Sequence, residues 1–340
     1  MSDKVTSLQV ARRAGVSQSA VSRVFTPGAS VSDKTAEKVR RAATELGYRP
    51  NVLARAMASG KSGIIGLVVA RIENQFYPVA LGKLCQALQS EGYHVLVFMA
   101  SQSSDRNDDV MAEILDYQVE GIVMASVAVS SDIASRCQAA GVPVVLFNRT
   151  QEADGLSSVT SDNHGGGRKV ADFLLAAGHR RFGYIAGWAG ASTQRDREAG
   201  FVEGLRDAGF QLHAREAGDF DIEKARAAAR RMFQVEPAER PDAVFVASDH
   251  MAFGVMDVLR YELGLRIPQD VSVVGYDDAP PAEWQAYNLT TVRQRADRMV
   301  TETVTALLRQ IDHVETALPH RVRIDGPLIV RGSARHPEVA

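Results

Sequence analysis

Three side chains in the segment SQSAVSRV have the types and spacing to read nucleic acid: Gln18, Ser19 and Arg23. Glutamine and arginine pair bidentately with base edges in a major groove, provided that something rigid presents them together. A second group stands just after apolar runs: Phe76 and Tyr77, Asn148 and Arg149, Arg195 and Arg197, Asp219 and Phe220, Ser248 and Asp249, Asp277 and Asp278. In such a mixture a carboxylate accepts two hydroxyl hydrogen bonds, a guanidinium donates two, and an aromatic ring covers an apolar sugar face. That suits a polyol ligand. Catalytic chemistry is not indicated. No GxGxxG follows an apolar run, because Gly165–Gly167 lack that spacing, and there is no Walker loop or nucleophile elbow. His164, His179 and His250 are scattered. Cys85 and Cys137 stand far apart in apolar surroundings without a CxxC, which fits buried thiols better than a disulfide or a zinc site. No metal or cofactor is expected.

The elements that must hold the first group are legible in SLQVARRAGVSQSAVSRV. Leu8, Ala11 and Ala14 make one helical stripe, and Ala20, Val21 and Val24 make another. Gly15 ends the first helix and Ser17 caps the second, leaving Gln18, Ser19 and Arg23 facing outward as in a helix-turn-helix. A plain helix pair would show the same stripes, so the following residues decide. Ser32 caps a third helix carrying Ala36, Val39, Ala43 and Leu46 along one side, with Gly47 at its end. After Pro50, Asn51 opens the segment VLARAMASG, which is too short for a stable isolated helix and reads as a hinge that folds on DNA. Residues 1–61 hold eleven Lys/Arg against four Asp/Glu, a net +7, which leaves −9 on the rest of a chain whose total is −2. A basic head on an acidic body fits a polyanion binder.

The second group needs a different scaffold. From Gly63 onward, short apolar runs (GIIGLVVA, YHVLVFMA, GIVMAS, PVVLF) alternate with stretches of helical period such as PVALGKLCQALQSEG and DDVMAEILDYQ. After about residue 160 the rhythm restarts with FGYIAG, AVFVAS and VSVVGYDD between further helices. Alternating units of this kind demand parallel sheets with helices on both faces, and two rounds of them imply two lobes with a ligand cleft between. The fold class is therefore α/β: a small all-α helix-turn-helix head plus a two-lobed, doubly wound parallel-sheet core. The start, MSDKVTSLQVARR, lacks the apolar stretch of a secretory signal, and no apolar run reaches the roughly 20 residues of a membrane span, so no membrane partner is expected.

The run VTSLQVARRAGVSQSAVSRVF, then VSDKTAEKVRRAATELGYRPNVLARAMASGKS, then GIIGLVV, resembles the N-terminal module of LacI/GalR-type transcription regulators. The core resembles the same family and the periplasmic-binding-protein fold. The resemblance implies a DNA-binding domain at 1–50, a hinge at 51–61 and an effector-binding, dimerising core at 62–340. It further implies one lobe of about 62–161 and 292–322 and another of about 162–291 and 323–340. DNA contacts are then expected from Ser17, Gln18, Ser19, Ser22, Arg23, Asn51, Arg55 and Met57, and effector contacts from Phe76, Asn148, Arg197, Phe220, Ser248 and Asp277. The expected partners are a near-palindromic operator, a small-molecule effector (a sugar or sugar acid) and a second copy of the chain. Repression in the cytoplasm, on the nucleoid when DNA-bound, is the implied activity. Two alternatives are disfavoured: a secreted sugar-binding protein would share the core but not the basic head, and a dehydrogenase would need the GxGxxG that no apolar run here precedes. Two positions depart from the family pattern. Met57 stands where a leucine usually wedges into the minor groove, and Asn148 stands where an aspartate is common.

Overall fold

The computed structural model of the chain describes residues 5–26, 29–49, 62–70, 72–100, 107–127, 136–137, 139–151, 155–312 and 318–337. The chain divides into two units, 1–63 and 64–340. The first is built from α1 (Ser7–Ala14), α2 (Gln18–Val24) and α3 (Asp33–Leu46). Thr6 and Gln9 cap α1 reciprocally: the Thr6 hydroxyl accepts from the Gln9 N–H, and Gln9 Oε1 accepts from the Thr6 N–H at 2.7 Å. Gly15 then turns the chain at a φ of 66°, and the Ser17 hydroxyl accepts from the Ala20 N–H at 3.2 Å to start α2. Val10, Val21 and Val39, one from each helix, are fully buried together.

Two details differ from the sequence pattern. Leu8 is 45% exposed, because the buried arc of α1 runs through positions 10, 11 and 14 and residue 8 lies about 200° around the helix from residue 10. Ser32 starts α3 with its backbone only. Its hydroxyl bonds Thr35 Oγ1 at 2.9 Å instead of a backbone N–H.

The second unit contains, in chain order, β1 (Ile64–Val69), α4 (Phe76–Ser90), β2 (His94–Met99), α5 (Asn107–Asp116), β3 (Gly121–Ala125), β4 (Val144–Phe147), β5 (Ser157–Ser161) and α6 (Asn163–Ala176). It continues with β6 (Phe182–Ala186), α7 (Ser192–Asp207), β7 (Leu212–Ala217), α8 (Ile222–Phe233), β8 (Ala243–Val246), α9 (Asp249–Asp257) and β9 (Ser272–Asp277). The last elements are β10 (Thr290–Arg293), α10 (Ala296–Asp312), β11 (Arg321–Ile324) and β12 (Leu328–Ile329). These form two six-stranded sheets, ordered β11-β5-β4-β3-β1-β2 and β12-β10-β9-β8-β6-β7. Among the described residues, all pairings are parallel except β10 with β12.

Buried strands such as β1, β3 and β4 have no exposed face, which is why they read as continuous apolar runs. The chain passes between the lobes three times: from β5 to α6, from β10 to α10, and from β11 to β12. The strand ends that carry polar residues thus converge on one cleft.

Candidate functional site

On the head, α2 presents Gln18, Ser19, Ser22 and Arg23 as exposed side chains, while Val21 anchors the helix from its inner face. Gln18 Nε2 donates to the Ser7 hydroxyl at 2.9 Å, and Ser17 and Ser19 hydroxyls lie 2.9 Å apart. Both contacts hold polar tips in place without burying them. Arg13 is partly neutralised by Glu45 at 2.7 Å. The expected hinge contacts Asn51, Arg55 and Met57 lie outside the described residues.

In the core, a narrow space between the lobes is lined by Asn74, Tyr77, Ser126, Asn148 and Arg149 from the first lobe and Thr193, Arg197, Phe220 and Asp277 from the second. Four of the six expected effector residues (Asn148, Arg197, Phe220 and Asp277) therefore meet here. The other two stand apart. Phe76 is buried against Phe147 and Tyr77, and faces a wider neighbouring cavity of about 530 Å³ that it shares with Asp277. Ser248 is fully buried and caps α9, its hydroxyl accepting from the Met251 N–H at 3.4 Å. Arg195 is exposed. The spacing of single strands did not reveal Asn74, Ser126 and Thr193, although Ser126 follows the apolar strand GIVMA and obeys the same strand-end rule as the others.

Arg197 is the most constrained group of the cleft. Its Nε donates to Asn163 Oδ1 at 2.8 Å, one terminal nitrogen donates to the Ala247 carbonyl at 2.6 Å, and the other lies 3.6 Å from Asp277 Oδ1. The guanidinium rests on the Tyr276 ring, 3.7 Å from its centroid. Asp277 accepts from Gln294 Nε2 at 2.6 Å and, across the cleft, from Asn74 Nδ2 at 3.0 Å. Gln294 in turn accepts from Ser161 at 3.0 Å, tying two of the interlobe crossings to the cleft carboxylate.

Further bonds close the lobes on each other. Arg149 donates to the Thr193 hydroxyl, and the Thr150 N–H donates to Ser192 at 3.0 Å. The space left is about 10 Å³, about that of one water molecule. A sugar fits only where these direct bonds give way.

Two features mark the cleft as more than packing. Ser126, Asn148, Phe220 and Asp277 all have positive φ, at 61°, 57°, 60° and 133°. Such conformations cost about 1–3 kcal/mol each in non-glycine residues and concentrate at functional sites. Asn148 donates to the Tyr77 hydroxyl at 3.2 Å, but its buried Oδ1 accepts nothing. That is an acceptor waiting for a donor. Among the described residues no group of three or more His, Cys, Asp or Glu side chains is arranged to hold a metal, and no helix is long and apolar enough to cross a membrane. Cys137 is buried and Cys85 half-buried, both as free thiols.

Residues 8–51 match the family described as bacterial regulatory proteins, lacI family, and residues 171–334 match the periplasmic binding protein-like domain. The chain is 33% identical over 333 residues to the HTH-type transcriptional regulator CelR of Thermobifida fusca, covering 95% of this chain and 96% of that protein. It is 29% identical over 307 residues to the HTH-type transcriptional repressor PurR of Vibrio atlanticus, covering 89% and 90%. Among solved structures, the lac repressor dimer bound to operator and the anti-inducer ONPF matches with a TM-score of 0.86 at 28% identity, covering 97% of this chain and 99% of that one. A CelR–cellobiose complex matches with a TM-score of 0.73 at 32% identity, covering 97% and 100%.

Proposed function

Since the chain belongs to the lacI family of bacterial regulatory proteins, we infer that it is a sequence-specific DNA-binding transcription regulator, a repressor, whose hold on its operator answers to a small carbohydrate between the core lobes. Residues 1–50 bind DNA, 51–61 form the hinge, and 62–340 bind the effector and dimerise. Gln18, Ser19 and Arg23 read bases, while Ser17, Ser22 and Asn51 contact phosphates, with Arg55 and Met57 engaging DNA from the hinge. One observation carries this reading: a single chain joins an outward-facing Gln18–Ser19–Arg23 surface to a cleft lined by polar strand-end residues in constrained conformations.

In the cleft, Asp277 accepts and Arg197 donates to ligand hydroxyls, Phe220 covers an apolar face, and Asn148 supplies the acceptor now unfilled. Phe76 and Ser248 border that set. The ligand is bound without turnover. The lining hydroxyls of Ser126 and Thr193 are bonded by Arg149 and that of Tyr77 by the Asn148 amide, donors that take no proton, so none of the three is paired with a base. The protein works in the cytoplasm as a homodimer. Self-association is supported by edge strand β2, where Val97 and Met99 are each 54% exposed. Ligand binding changes the angle between lobes and thereby the pairing of the two heads on DNA.

Selection of duplexes from a random pool by the full chain tests the DNA half of this reading. The expected product is a near-palindromic site protected in footprinting, and a pool without sequence preference would overturn it. A thermal-shift panel of sugars and sugar acids tests the effector half.

A further inference from the structure

Asp249 opens α9 and is fully buried. Its two oxygens accept from the Ala279 N–H at 2.8 Å and the Thr291 hydroxyl at 2.6 Å, both neutral donors. The room for this carboxyl is provided by Gly275 of β9, where a Cβ would lie 2.2 Å from Asp249 Oδ1. The charged groups around it are unevenly shared. Arg293 and Arg331 both pair with Asp278, at 2.5 and 2.7 Å. Arg197 from α7 leans toward Asp277, at 3.6 Å. His250, next on α9, is half-exposed. Asp249 and Asp277 are thus two buried carboxyls of which only Asp277 has a guanidinium beside it, and an uncompensated buried carboxylate takes a proton rather than remain charged.

We propose that Asp249 carries the proton of a buried carboxylic acid–carboxylate pair and serves as a positioning residue for Asp277, leaving Asp277 as the ionised acceptor of the cleft. The partners decide which carboxyl keeps the proton. Burial pushes Asp277 up as well, but Arg197, the Asn74 and Gln294 amides and the Asp249 N–H all oppose that push. Asp249 is pushed up to about 8, first by burial and then by the charge of Asp277, with only the Thr291 hydroxyl and the Ala279 N–H opposing. Held neutral, Asp249 spares Asp277 a second negative charge at its back. The assignment rests on Asp277 being an effector acceptor, but the proton itself can be sought without any ligand.

Linkage gives the test its sign. A carboxyl whose pKa is about 8 folded and about 3.9 unfolded favours the native state fully below about pH 4, and that contribution is lost as pH rises through about 8. The ligand-free full chain is therefore unfolded thermally across this range, as wild type and as Asp249→Asn, which mimics the protonated form. The wild-type midpoint is expected to fall with rising pH, and the D249N midpoint to hold nearly level and exceed it at the alkaline end.

Should D249N not fold, Thr291→Val answers the same question. Removing a donor that favours the charged form moves the wild-type decline to higher pH. Infrared spectra of wild type should show the carbonyl stretch of a dry carboxylic acid, and D249N should lose it. Loss of the band and of the pH dependence in Asp277→Asn instead of D249N would overturn the proposal, as would an unchanged decline in D249N. If the effector assignment alone is wrong, D249N still behaves as expected while D277N leaves the thermal shift by the best-responding sugar of the panel unaltered.

Discussion

At the scale of single residues, the two sites depend on side chains with opposite relations to solvent. Arg23 is exposed and held only by the helix beneath it, so Arg23→Ala should leave the fold intact and remove a base contact of about 1–3 kcal/mol. Footprinting with the variant should show the specific site lost, and an unchanged footprint would remove Arg23 from the reading set. Arg197 is the reverse case. With 2% of its surface exposed, it satisfies Asn163, the Ala247 carbonyl and Asp277 at once. Arg197→Ala takes the donor from Asn163 and the Ala247 carbonyl, leaves buried Asp277 without its cation, and should destabilise the core by about 3–5 kcal/mol, read as a lower urea midpoint. A loss under about 1 kcal/mol would mean that the cleft has relaxed around the gap. These residue types were legible in the sequence because strand ends in parallel sheets collect ligand groups. What was not legible is that Ser248 spends its hydroxyl on a helix cap and that Asn74 reaches across the cleft to Asp277. Both depend on how the elements close on one another.

At the scale of elements, the positioning of Arg197 depends on how closely α6 and α7 approach. A Cβ on Gly200 would lie 1.9 Å from the His164 carbonyl oxygen, and one on Gly167 would lie 2.1 Å from the Arg197 carbonyl oxygen. These two glycines set the crossing distance, and no larger residue permits it. Gly200→Ala should thus destabilise by about 1–3 kcal/mol as the helices are forced apart. By contrast Gly82→Ala, on the exposed side of α4 with nothing within 4 Å, should be stabilising by up to about 1 kcal/mol. Denaturant midpoints that move equally for the two variants would contradict the close-crossing account.

Periodicity foretold the apolar strands and most helices, but not all the strands. β5 (SSVTS) is fully buried yet polar, its Ser157 and Ser161 hydroxyls engaged by Gln310, His320 and Gln294. β7 (LHAREA) alternates along an exposed edge. Neither makes the continuous apolar run that reveals a central parallel strand.

At the scale of the whole molecule, the regulator reading requires that sites on two different units be coupled. The lobes are joined directly by the Asn74–Asp277, Arg149–Thr193 and Thr150–Ser192 bonds, and Gln294 links Asp277 to Ser161 at a crossing between lobes. A carbohydrate that takes over the groups of the cleft must exchange its own hydrogen bonds for these. Occupancy therefore changes how the lobes meet. Coupling between sites is reciprocal: whatever factor the ligand changes operator affinity by, the operator changes ligand affinity by the same factor. The direct measurement is a titration of the full chain with the best-responding sugar, once alone and once saturated with the selected operator duplex. The account predicts two different dissociation constants, separated by about 5–150-fold for an ordinary coupling of 1–3 kcal/mol, and a matching change in operator affinity when the sugar is present. Identical constants in the two titrations, or consumption of the sugar during them, would contradict it.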